Sequence, residues 1–159
     1  IILLKAFEKL VKTRSARLLL IGSGSDREKL LKYIHEKKLI NKVKIIPFTS
    51  NPFKYISLSD IKILSSRFEG NPNILLEVAS LKKLIISSNC KVGPREILQS
   101  GKGGILFKVN DYNKLCSILK KINLNSKYIK EKITNSYKYV QTNFQKDIST
   151  SFIDIIKKL

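Results

Sequence analysis

Two periodicities run along this chain: short unbroken apolar runs, and longer stretches with an apolar face every three to four residues. Residues 2–13 set Leu3, Leu4, Phe7, Leu10 and Val11 on one side of a 3.6-residue repeat, which predicts a helix. Arg17-Leu18-Leu19-Leu20-Ile21 is an unbroken run ending at Gly22, the mark of a strand buried on both faces of a parallel sheet. The same reasoning predicts helix 26–37, strand 43–47, a short helix at 52–57, strand 61–64 and helix 72–81. Strand 84–87, helix 94–99, strand 104–107 and helix 111–122 follow. Five strands alternating with helices imply an α/β chain with a mostly parallel sheet covered on both faces. Beyond Ser126 the strand signals stop, and residues 128–143 and 145–159 read as two amphipathic helices. Neither an internal repeat nor a Pro/Gly-rich linker interrupts the pattern.

Composition narrows the class. The 159 residues are enough for one sizeable core, and a hydrophobic content of 43% argues against disorder. No apolar run approaches the roughly 20 residues of a membrane span, and the first residues do not resemble a signal peptide. Cys90 and Cys116 lack metal-ligand spacing, which reads as a reduced, cytoplasmic chain. The chain starts at Ile1 and holds no Met, so a piece of something longer is expected. The net charge of +19 has two readings. One is attraction to nucleic acid, an anionic membrane face or anionic substrates. The other is compositional drift, since Ile and Asn are also abundant. The lysines are spread over every predicted helix and form no basic block interleaved with aromatics, which weighs against nucleic acid.

The stretch with the most chemistry is Ser65-Ser66-Arg67-Phe68-Glu69-Gly70-Asn71-Pro72-Asn73-Ile74-Leu75-Leu76-Glu77. It leaves strand 61–64, turns at Gly70 and enters a helix with Asn71 as expected N-cap and Pro72 at the first helical position. Free N–H groups at a helix start suit an anion such as a phosphate, and carboxylates suit the hydroxyls of a polyol. Glu69 and Glu77 supply those carboxylates. Gly22-Ser23-Gly24 follows a strand and precedes a helix, but lacks the third glycine of a dinucleotide fingerprint, so alone it is a tight turn. Phe48 stands just past strand 43–47, at the carboxyl end where open parallel sheets bind ligands; a half-buried loop aromatic is the other reading. His35 has no partner acid or nucleophile and reads as a surface residue. Glu96, in a helix first turn, is explained by the helix dipole. No metal site is expected.

At these residues the chain resembles the retaining family 4 glycosyltransferases. Glu69 and Glu77, in Phe-Glu-Gly-Asn-Pro-Asn-Ile-Leu-Leu-Glu, look like that family's E-x7-E signature. Asn51-Pro52-Phe53-Lys54-Tyr55-Ile56 before it and Gly93-Pro94-Arg95-Glu96-Ile97-Leu98 after it are similar too. The likeness runs from about residue 2 to the C-terminus and is to the second, donor-binding domain of these two-domain GT-B enzymes.

The resemblance implies a Rossmann-like three-layer α/β/α domain over residues 1–125, lacking its first strand. Residues 126–159 would be C-terminal helices returning to an absent N-terminal domain, with Phe152, Ile153, Ile155, Ile156 and Leu159 partly unprotected. It implies transfer of a hexose or N-acetylhexosamine from a nucleotide diphosphate, with UDP expected, to a surface polysaccharide, lipopolysaccharide or lipid-linked glycan. Neither metal nor cofactor is implied. Glu69 would face the donor sugar as the catalytic carboxylate, and Glu77 would accept from the ribose. Gly70, Asn71, Pro72, Asn73 and Ile74 would meet sugar and phosphates, Gly22 and Gly24 the diphosphate, and Phe48 the base. The pattern departs from the family in places. Val78-Ala79-Ser80 stands where Ala-Met-Ala is frequent, and the usual donor-side Lys and Arg would lie upstream of Ile1. The implied location is cytoplasmic, peripheral at an anionic membrane face, with no transfer by the 159 residues alone. Two other classes stay open: a basic Rossmann-type module binding nucleic acid or protein, and a non-functional remnant of a split gene.

Overall fold

The computed structural model describes residues 1–156, with side chains described as far as residue 144. The elements run α1 (Ile2–Leu10), β1 (Leu18–Ile21), α2 (Arg27–Glu36), β2 (Val43–Ile46), α3 (Phe53–Ser57), β3 (Ile61–Leu64), α4 (Asn73–Ser80) and β4 (Leu84–Ser88). Then come α5 (Pro94–Ile97), a 3-10 turn (Gln99–Gly101), β5 (Ile105–Phe107), α6 (Tyr112–Lys121) and α7 (Lys127–Ile156). Every strand pairing is parallel, with helices in the connections, so the fold is α/β and Rossmann-like. The strands pair in two sets, β1-β2 and β3-β4-β5. The chain divides accordingly into two compact units: Ile1–Pro52 with Asp111–Ile122, and Phe53–Asn110 with the chain from Asn123 on.

In the first unit, Leu18 is in register with Val43 and Ile21 with Ile46. Helix α1 buries Leu4, Ala6, Phe7 and Leu10, and α6 buries Leu115, Cys116 and Leu119. Their apolar stripes are the expected 3.6-period faces. Arg14 ties off the end of α6: its Nη1 donates to the carbonyls of Leu119 (2.9 Å) and Ile122 (2.8 Å). Those carbonyls belong to the last turn, where the helix itself supplies no donor. Asp111 caps the other end, its Oδ1 accepting from the Lys114 N–H at 2.8 Å.

The second unit is built on β4, whose five residues are all buried. Ile61 pairs with Leu84 on one side and Ile105 with Ile86 on the other. Its core joins Leu75, Leu76, Val78 and Ala79 of α4 to Ile85, Ile97, Leu98, Ile56 and Val140. Val140 brings α7 onto this core, with Tyr139 and Phe144 packed beside it.

Three expectations change. The helix after Gly70 starts at Asn73, because Pro72 (φ −76°, ψ 76°) lies outside the helical region and is itself the flanking residue. Asn71 is therefore no side-chain cap, and its carbonyl instead accepts from the Asn73 N–H at 2.9 Å. The helix at 94–99 ends at Ile97 and passes into the 3-10 turn. The two helices expected at 128–143 and 145–159 are one, Lys127–Ile156, since no proline or glycine breaks the backbone ladder around residue 144. The apolar set Phe152, Ile153, Ile155, Ile156 and Leu159 falls outside the residues whose side chains are described.

Candidate functional site

In the second unit, the chain leaves β3 at Leu64 and reaches α4 through a turn at the carboxyl end of the strand. Phe68 stands out at 87% exposure. Glu69 beside it is half-buried, Gly70 and Asn71 are exposed, and Pro72 is buried. Four residues, 71–74, were candidates for N–H donation to a ligand. Pro72 has no N–H, and the Asn73 N–H is committed to Asn71. The amides of Asn71 and Ile74 make no backbone hydrogen bond among the described residues. The donor set at this helix start is therefore two amides, with the carboxylate of Glu69 two residues before the first.

The turn is tightly backed. Gly93, at φ +86°, lies so close to Pro72 that a Cβ there would come within 2.4 Å of the proline Cδ and 3.2 Å of the Gly70 carbonyl oxygen. Only glycine takes that backbone conformation without strain, and only glycine leaves room. Gly70, by contrast, has nothing within 4 Å of such a Cβ.

Glu77, one turn into α4, is half-buried, not solvated on a helix flank. Burial raises its carboxyl pKa, and the ammonium of Lys62 works in the opposite direction. Lys62, on β3, is lowered by its own burial, with Glu77 favouring its charge. The two form no contact ion pair, so each moderates a charge that the other's surroundings disfavour.

In the first unit, Gly22 (φ +144°) and Ser23 follow β1 while Phe48 follows β2. The Gly22 N–H donates to the Ile46 carbonyl (3.1 Å) and the Phe48 N–H to Ser23 Oγ (3.3 Å). Two segments 25 residues apart in sequence thus form one rim at the carboxyl ends of adjacent parallel strands, where such sheets take ligands. Gly24 is exposed, and Phe48 is 76% exposed, so it is not half-buried. His35 and Glu96 are exposed, as expected.

Sequence reasoning missed Lys62, Ser88 and Cys90. A lysine interrupting the apolar run of a covered strand was a legible signal for the first. The other two carried no such signal, Cys90 reading only as a reduced cysteine without metal-ligand spacing. Among the described residues no cluster of three His, Cys, Asp or Glu could hold a metal, and no helix is long and apolar enough to cross a membrane.

Parallel strand pairs with helices in their connections make this an α/β, Rossmann-like chain, and the β3–α4 turn carries two half-buried carboxylates and a pair of open amides. The family of glycosyl transferases group 1 matches residues 1–139, and the chain belongs to it. An uncharacterized glycosyltransferase of Methanocaldococcus jannaschii is 38% identical over 97 residues, 60% of this chain and 24% of that protein. The Campylobacter jejuni N-acetylgalactosamine-N,N'-diacetylbacillosaminyl-diphospho-undecaprenol 4-alpha-N-acetylgalactosaminyltransferase is 31% identical over 119 residues, 75% of this chain and 32% of that protein. The chain thus spans a quarter to a third of these relatives. Among solved structures, Anabaena HepE in complex with UDP-glucose superposes with a TM-score of 0.82 at 18% identity, covering 99% of this chain and 44% of that one. That likeness shows the fold alone, the Rossmann-like α/β arrangement of a GT-B domain.

Proposed function

We propose that this chain is the donor-binding domain of a retaining glycosyltransferase, transferring a hexose or N-acetylhexosamine from a UDP-sugar to a surface or lipid-linked glycan. The observation that carries it is the turn from β3 to α4, which presents Glu69, the open amides of Asn71 and Ile74, and half-buried Glu77 within nine residues. Glu77 accepts from the ribose hydroxyls. Glu69 orients the sugar, and Asn71 and Ile74 donate to phosphate oxygens, where fixed donors stabilise charge on the leaving diphosphate. Gly70, Pro72 and Asn73 shape that cradle. Gly22 and Gly24 approach the diphosphate and Phe48 the base. In the transfer an acceptor hydroxyl oxygen bonds to the anomeric carbon while the bond to the diphosphate breaks. The hydroxyl attacks from the face the diphosphate leaves; the diphosphate departs with the electron pair and takes up the hydroxyl proton, so configuration is retained without a protein nucleophile. No metal takes part.

Relatives named for undecaprenol-linked and lipopolysaccharide acceptors support a glycan acceptor, and structural neighbours bound to UDP support a UDP-linked donor. The acceptor is bound by residues outside these 159, which bind donor weakly and transfer nothing. The +19 charge favours peripheral contact with an anionic membrane at the cytoplasmic side. The test is a titration of the full chain with UDP, GDP and ADP, followed by amide NMR. Shifts at residues 69–77, absent in Glu77→Ala, are the expected result. Failure of every nucleotide at millimolar concentration, with or without an added N-terminal domain, would sink the reading.

A further inference from the structure

The turn that carries Glu69 has almost nothing of its own to hold it. Between Leu64 and Pro72 it forms no element, Phe68 is exposed, and exposed Arg67 makes one hydrogen bond, from Nε to Asn110 Oδ1 at 3.1 Å. Its anchors come from elsewhere in the same unit. The Ser66 carbonyl oxygen accepts two hydrogen bonds, from Ser88 Oγ at 2.6 Å and from Cys90 Sγ at 3.1 Å. Ser88 is fully buried and Cys90 3% exposed, so neither donor has water as an alternative. The two side chains are also 3.4 Å from one another. Three residues further on, Gly93 abuts both the Gly70 carbonyl and the Pro72 ring. Residues 88–93 therefore touch the turn at Ser66, Gly70 and Pro72, on both sides of Glu69. Ser88 is itself fixed as the last residue of β4, in register with Phe107 of β5.

We propose that the segment 88–93 is the positioning element of the Glu69 turn, with Ser88, Cys90 and Gly93 as positioning residues that touch no substrate. The Ser66 carbonyl, on a half-buried residue, takes both of its side-chain donors from this buried pair, and the turn shifts when it loses them. Glu77 is not governed in this way. Its helix is seated independently by Leu75, Leu76, Val78 and Ala79. The segment thus sets the sugar-facing half of the site and leaves the ribose-facing half alone. That division of labour rests on the proposed donor site; the anchoring of the turn does not.

The test uses the full chain and amide hydrogen exchange without ligand, followed by titration with UDP and UDP-glucose. In Ser88→Ala/Cys90→Ala the Asn73 amide, bonded to Asn71 within the turn, is expected to exchange about tenfold faster or more. The β4 amides of Ile85 and Ile86 should keep their protection. Ser88→Ala/Cys90→Ser, which restores one hydroxyl donor, is expected to recover most of the slow exchange, as a simple packing role for sulfur would not. Should the double variant lose its β4 protection, Cys90→Ala alone is read by the same criterion. With nucleotide, the double variant is expected to keep the UDP-induced shift at Glu77 and lose the UDP-glucose-induced shift at Glu69 and Gly70. Unchanged Asn73 exchange in the folded variants would overturn the proposal. So would a Glu69 response to UDP-glucose that survives removal of both donors. A wild-type chain that ignores both nucleotides would refute the donor site and leave the exchange result to decide the anchoring.

Discussion

Lys62 on β3 and Glu77 on α4 are each other's counter-charge: burial disfavours ionisation of both, and each one's charge favours that of the other. Removing the lysine should therefore push the Glu77 carboxyl pKa higher still. Side-chain carbonyl NMR titration of Lys62→Met against wild type checks this, and an unchanged or lower value would refute the pairing.

The same shift fixes a sign for stability against pH. The folded-state pKa of Glu77 is above its ordinary value of 4.5. Its contribution to stability is thus complete below that value and is lost as pH rises through the folded pKa. Relative to Glu77→Gln, wild type should lose stability as pH climbs from about 4.5 toward neutrality. Urea midpoints across that range would show the gap narrowing or reversing; a gap that widens in favour of wild type contradicts the assignment.

Two glycines that look alike in sequence should behave differently. Gly93→Ala meets a positive φ and a 2.4 Å approach to Pro72, and is expected to cost about 1–3 kcal/mol. Gly70→Ala meets open space and should stay within about 0.5–1 kcal/mol of wild type. Chemical denaturation of both variants tests the contrast.

Arg14→Ala uncaps the last carbonyls of α6 and should destabilise the chain by about 1–2 kcal/mol. An unaltered urea midpoint would mean that water replaces the guanidinium at no cost.

Co-sedimentation with liposomes should rise with anionic lipid content and fall with added salt if the +19 charge serves a membrane face. Indifference to lipid charge would return that excess to composition alone.

Much of this molecule was legible in its sequence because period and punctuation are local. Short apolar runs, the first closed by Gly22, marked β1 to β5, and the 3.6-residue stripe of Leu4, Phe7 and Leu10 marked α1. The spacing of Glu69 and Glu77 across a strand-to-helix turn marked the candidate site, and the family match over residues 1–139 agrees with the recognition. The tertiary structure decided what depends on distant neighbours. Whether Asn71 caps α4 turned on the backbone angles of Pro72, and propensity alone pointed the other way. Whether Glu77 is solvated turned on how α4 packs, and its charge answers to Lys62, fifteen residues upstream. The donors to Ser66 come from residues 22 and 24 positions away, brought there only by the parallel pairing of β3 with β4. A sequence specifies which residues can bury or bend locally. Which polar groups then face one another is settled only when the strands pair and water is excluded between them.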